Sequence, residues 1–106
     1  MLPKLAFLPP SHPGVLLAEF LRQADVSRAD FACAIRVCLV RLDQIVDGQR
    51  SVTAEMALRL AKATGIGAET WLAAQQQWDL YDTEDLICDE LAKIQPVSRG
   101  RVRLAA

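Results

Sequence analysis

Cysteine, histidine and aromatic residues are scarce in this 106-residue chain, and net charge is nearly absent at −1. The three cysteines, Cys33, Cys38 and Cys88, make an odd count, which argues against a disulfide framework and suits a reducing compartment. There is no C-x-x-C pair and the one histidine, His12, is far away in sequence, so no ligand set has metal-site spacing. The cysteines read instead as small buried or half-buried apolar side chains. His12 reads as a cap for the first helix. It has no serine or cysteine placed as its nucleophile, and no paired-carboxylate pocket can be argued, so neither enzymatic activity nor a cofactor is expected. No apolar run approaches the roughly 18 residues of a membrane span. The opening "MLPKLAFLPPSHPG" is broken by Pro3, Pro9 and Pro10 and lacks the apolar core and cleavage site of a secretory signal, which points to the cytoplasm.

What is present is apolar side chains, 52% of the chain against 24% charged, enough for one small core in one domain. The charge is unevenly spread. Residues 1–11 carry +1, residues 12–66 carry +1, residues 67–95 carry −6 and residues 96–106 carry +3. The first half is therefore neither acidic nor strongly basic, and charge alone does not announce a nucleic-acid binder.

The periodicity gives five helices and no strand. "HPGVLLAEFLRQAD" predicts a helix over 13–24, with Pro13 at its first turn and Leu16, Leu17, Phe20 and Leu21 at helical spacing. "SRADFACAI" predicts a second, capped by Ser27, with Phe31, Ala32 and Ile35 buried. "CLVRLDQIVDG" predicts a third, with Leu42, Ile45 and Val46 inward and Gly48 as its stop. "TAEMALRLAKATG" predicts a fourth between the Thr53 cap and Gly65. A fifth, over 68–92, holds Trp71, Leu72, Trp78, Leu80, Tyr81, Leu86, Ile87 and Leu91. The organisation expected is a flexible N-terminal segment over 1–11, a domain over 12–95 and a flexible basic tail over 96–106.

Helices two and three have the packing pattern of a helix-turn-helix. Ala32 is the small residue at the crossing, Phe31, Ile35 and Val37 hold the turn, and Leu42 and Ile45 bury the second helix. The turn position that adopts positive φ holds Arg36 rather than glycine, at a cost of about 1 kcal/mol. A plain antiparallel helix pair is the other reading of the same spacing. Outward positions on the second helix include Cys38, Leu39, Val40, Arg41, Asp43 and Gln44. Arg41 suits a guanine edge or phosphate, Gln44 an adenine edge, and Leu39 and Val40 thymine methyl groups. Arg28, at the start of helix two, and Gln49 and Arg50, just past the reading helix, complete the candidate DNA contacts, with the two arginines suited to phosphate.

"HPGVLLAEFL", "VSRADFACAI", "IVDGQRSVTAEMALRLAKATG" and "ETWLAAQQQWDL", in this order and spacing, resemble the HigA (VapI-type) antitoxins of the Xre/Cro-like helix-turn-helix class. The resemblance covers roughly residues 12–95. It implies an all-α, five-helix, lambda-repressor-like DNA-binding domain with a long C-terminal helix. It also implies a homodimer formed largely through the C-terminal region, an operator upstream of its own operon, and a HigB-type, RelE-like toxin that cuts mRNA. The family usually has glycine where Arg36 stands, and often proline followed by arginine or serine where Cys38, Leu39 and Val40 stand. Its Asn-Gly is Asp47-Gly48 here, and its Lys-Arg is Gln49-Arg50.

Helix five is too long and too apolar for four short helices to cover. Trp71 reads as core, whereas Trp78, Leu80, Tyr81, Leu86 and Ile87 form a stripe suited to a two-fold interface. The acidic run "DLYDTEDLICDE" reads as a solvated face, with attraction of a basic toxin as the alternative. "SRGRVRLAA" offers Arg99, Arg101 and Arg103 to DNA phosphates, and its ending, Leu104-Ala105-Ala106, is like the small apolar terminus of bacterial degradation tags. Three functional readings follow: an antitoxin that represses its own operon, a stand-alone regulator of the same fold, and an interaction module whose reading helix is vestigial.

Overall fold

A computed structural model describes residues 11–97, and most of the expectations for the N-terminal segment and the basic tail lie outside the described residues. The described residues form α1 (Pro13–Ala24), α2 (Arg28–Ile35), α3 (Leu39–Val46), α4 (Ala54–Thr64) and α5 (Ala68–Leu91), with no strand among them. Each of the first four helices ends where its punctuation residues stand. His12 opens α1, Ser27 accepts from the Asp30 amide at 3.0 Å to open α2, and Thr53 accepts from the Met56 amide at 3.3 Å to open α4. Asp25, Arg36 and Gly65 close α1, α2 and α4 in the left-handed conformation.

One core joins all five helices. Leu17 and Leu21 of α1 meet Phe31, Ala32 and Ile35 of α2, Leu42 and Ile45 of α3, Met56, Ala57 and Leu60 of α4, and Trp71 of α5. Trp71 is fully buried and is the largest of these side chains, so the first third of α5 is anchored as the sequence suggests. α1 crosses α3 with almost no clearance. A Cβ on Gly14 would collide with the Ile45 carbonyl oxygen and come within 2.7 Å of that of Val46. The start of α1 is thereby pressed against the C-terminal end of α3.

The α2–α3 turn adopts the predicted geometry. Arg36 has φ 63°, its amide donates to the Cys33 carbonyl at 3.1 Å, and the Val37 amide donates to Ala32 at 3.0 Å. The Arg59 guanidinium of α4 also donates to the Ile35 carbonyl at 2.8 Å. This bond to a carbonyl at the end of α2 helps hold an arginine where glycine is the easier residue.

Two expectations need correction. All three cysteines are exposed rather than buried. Cys33 faces away from the Phe31–Ala32–Ile35 stripe, Cys38 is the N-cap residue of α3, and Cys88 lies on a part of α5 that no other helix covers. Helix five is also not one regular rod, since Ile87 leaves helical geometry at φ −116°, ψ 19°. Residues 79–91 are all exposed, so no packing enforces regularity there.

Candidate DNA-reading face

The face is built on α3, with α2, the α3–α4 loop and α4 around it. Cys38 caps α3 without a side-chain hydrogen bond, and Leu39 and Val40 follow it into solvent, 41% and 64% exposed. Leu42 and Ile45, on the opposite side of the helix, are fully buried and fix its rotation. The apolar pair therefore protrudes because the core dictates which side of α3 turns inward.

Three arginines around this pair, Arg28, Arg41 and Arg50, are engaged within the chain. Arg28 of α2 reaches across to α3, donating to Asp43 at 3.0 Å and to Asp47 at 3.4 Å. The Asp43 hydrogen bond is the first cause that pushes the guanidinium pKa further up. Arg41 donates to Glu55 of α4 at 3.4 Å, and its Nε is buried without a partner. Glu55 also receives Arg59, at 2.9 Å, and these arginines, Arg59 first, draw its carboxyl below the usual carboxylate range. Arg50 donates through Nε to the Gln44 side-chain oxygen at 2.8 Å. The amides of Gln49 and Arg50 both donate to the Gln44 carbonyl, so the loop folds over the end of α3 with both side chains exposed.

The structure thus brings Arg28, Leu39, Val40, Arg41, Gln44, Gln49 and Arg50 around one helix. It places Arg41 partly under Glu55 rather than fully outward, with its side chain only 27% exposed. These in-chain partners went unread in the sequence. One signal was available, since Asp43 and Asp47 are spaced i, i+4 and share a helix face.

Behind the face, the loop is tied to α1 and α5. Gln75, buried on α5, accepts from the Val52 amide at 2.8 Å and donates to Asp79 at 2.8 Å. His12 Nδ1 accepts from the Gly14 amide at 2.9 Å, which puts the proton of the neutral ring on Nε2. The ring lies in a groove with Val15, Val46, Gly48 and Trp78. Its burial lowers its pKa from 6.5, against the opposing pull of the Arg50 backbone and the Asp79 charge.

Trp78 is half-buried against this junction, whereas Leu80, Tyr81, Leu86 and Ile87 are 64%, 49%, 76% and 41% exposed. Among the described residues no cluster of His, Cys, Asp and Glu is placed to hold a metal ion. No helix among them is long and apolar enough to cross a membrane.

A left-handed turn between two short helices, with Leu39 and Val40 exposed at the start of the second, defines a five-helix protein of the helix-turn-helix class. No protein-family model matches the chain. Virulence-associated protein I of Dichelobacter nodosus is 39% identical over 78 residues, 73% of this chain and 72% of that protein. The HigA-family addiction module antidote of Coxiella burnetii superposes with a TM-score of 0.80 at 34% identity, covering 85% of this chain and all of that one. The antitoxin HigA of Pseudomonas aeruginosa, solved with the higBA promoter, does so with a TM-score of 0.78 at 32% identity, covering 84% of this chain and 99% of that one. The chain belongs to the HigA (VapI-type) antitoxin family, and both solved relatives are antitoxins rather than enzymes.

Proposed function

We propose that this protein is the antitoxin of a type II toxin–antitoxin pair, that it neutralises a HigB-type, RelE-like mRNA-cleaving toxin, and that it represses its own operon as a DNA-binding homodimer. The observation that carries the DNA-binding reading is the exposed start of α3, Leu39 and Val40, flanked by Arg28, Arg41 and Arg50. A helix so placed enters a major groove with its N-terminal residues toward the bases. Leu39 and Val40 meet thymine methyl groups, and Arg41 and Gln44 meet base edges. Arg28, Gln49 and Arg50 hold phosphates. The relative solved with its promoter supports the same use of the fold.

The homodimer is supported by the apolar side chains that α5 leaves bare beyond Trp78 (Leu80, Tyr81, Leu86 and Ile87), which lie around the helix rather than along the one line expected. Two-fold pairing of these ends of α5 covers apolar surface and sets two reading helices on one duplex.

The test is binding of the purified protein to its own upstream region and to a scrambled duplex at low and moderate salt. Preference for the upstream region is expected. Equal affinity for both would leave an interaction module with a vestigial reading helix. Co-expression with the toxin encoded beside it should give a stable complex and restore growth. Operator binding without a neighbouring toxin gene would identify a stand-alone regulator instead.

A further inference from the structure

Two of the arginines on the reading face already hold carboxylates, and those carboxylates belong to the face itself. Arg28 sits between Asp43 and Asp47, and Arg41 lies on Glu55. The Arg28 pairs are exposed, with side chains 40–50% accessible. Exposed ion pairs add little to stability, so a structural staple is a weak account of them. Their place is more telling. Asp43 and Asp47 project from the helix that would enter the groove, where an acid repels phosphate unless a cation covers it.

We infer that Asp43, Asp47 and Glu55 are specificity-determining residues, occupying Arg28 and Arg41 in the free protein, where any duplex offers these arginines phosphate instead and the operator alone offers Arg41 a base edge. This rests on the DNA-binding reading above. On random DNA, an arginine leaves one anion for another and exposes a carboxylate beside the backbone, so the net gain is small. The operator adds thymine-methyl contacts at Leu39 and Val40 and a base edge for Arg41, and these drive the exchange. Specificity is a difference of affinities, and the internal acids enlarge it by lowering the random-sequence term. Salt dependence follows the same logic. A phosphate contact releases a condensed cation, but the carboxylate left behind takes one up, which flattens the slope. The weakly charged first half of the chain, +1 over residues 12–66, therefore suits a reader that discriminates rather than one that holds any duplex.

The experiment compares full-length protein with D43N/D47N and, separately, with E55Q, on the upstream region and a scrambled duplex across a salt series. Circular dichroism checks each fold, and the two variants perturb different helices, so failure of one leaves the other informative. Scrambled-duplex affinity should rise roughly tenfold, operator affinity should rise less, and the salt slope should steepen by about one unit per freed arginine. Asp30→Asn removes one negative charge, as E55Q does and half of what D43N/D47N removes, from an acid that pairs with no arginine among the described residues, and should do much less. Replacing Arg28 by Gln should cost more scrambled-duplex affinity in the D43N/D47N background than in the parent, because the cycle isolates the pairing. An effect of D43N/D47N on log affinity no more than twice that of D30N, or no gain on scrambled DNA from either variant, would overturn the inference. If the parent shows no operator preference, the DNA-reading proposal fails, while the scrambled-duplex series still decides whether the acids mask the arginines.

Discussion

His12 stands edge-on to Trp78, with ring centroids 6.0 Å apart and planes at 72°. The same imidazole caps α1 through Nδ1 and lies in one groove with Gly48 of the α3–α4 loop. One side chain thus joins the first helix, the loop that carries Gln49 and Arg50, and the helix that carries the bare apolar side chains.

That junction requires a neutral ring, because a protonated Nδ1 cannot accept from the Gly14 amide. Burial lowers the folded-state pKa below 6.5, so between the two pKa values the unfolded chain binds more protons. The stabilising contribution is complete above about pH 6.5, declines as the pH falls below it, and levels off once the pH is below the folded-state value. His12 is the only histidine, so stability from pH 7 down to about pH 5 should report mainly on it. Denaturant titrations should show that decline, and His12→Asn, which retains a capping oxygen, should flatten it. An unchanged pH profile in that variant would remove His12 as its source.

Gly14 and Gly65 should separate collision from backbone strain. An alanine at 14 meets the Ile45 and Val46 carbonyls, which are backbone and cannot rotate aside. Gly14→Ala should cost about 1–3 kcal/mol and lower the melting temperature by several degrees. Gly65→Ala meets nothing within 4 Å but must hold φ 81°, at about 1 kcal/mol. Thermal melts of both variants check this. Equal tolerance at position 14 would mean that α1 can lift off α3 freely.

The core was legible in the sequence because its signals are local. Helical spacing picked out Leu17, Leu21, Phe31, Ala32, Ile35, Leu42 and Ile45, and capping residues set the helix ends. The turn at Arg36 was legible too, as an expected left-handed residue. The state of the reading face was not. Arg28 and Asp43 are 15 residues apart, Arg41 and Glu55 are 14 apart, and Val52 and Gln75 are 23 apart. Such partners are set by how helices cross, which periodicity does not encode. The cysteines misled for a similar reason, since their type favours burial while their positions fall on outward faces.

Arg36→Gly should stabilise the protein. The present residue sits at φ 63°, where a side chain is disfavoured and glycine is not. The gain should approach about 1 kcal/mol, reduced by the greater freedom of glycine in the unfolded chain. Arg59→Ala should act the other way, by removing the donor to the Ile35 carbonyl. Chemical denaturation of both single variants and the pair measures the balance. A destabilised Arg36→Gly protein would show that the arginine side chain contributes more than its backbone conformation costs.

The exposed apolar side chains of the second half of α5 offer a cleaner test of dimerisation than Trp78. Charge at Trp78 also disturbs His12 and the groove around it, so loss of dimer there would be confounded with loss of fold. Leu80 and Leu86 are 64% and 76% exposed within the single chain and support none of its core. L80E/L86E should therefore leave the helical signal and melting temperature of the monomer almost unchanged while abolishing self-association in sedimentation experiments. Operator affinity should fall with it, by roughly 10²-fold or more, because two half-sites are no longer engaged through one linked molecule. Scrambled-duplex affinity per subunit should change little, apart from the added negative charge, so the loss should be specific to the paired site. A variant that stays dimeric would move the interface off this part of α5. A variant that becomes monomeric yet keeps full operator affinity would mean that each subunit reads its half-site alone.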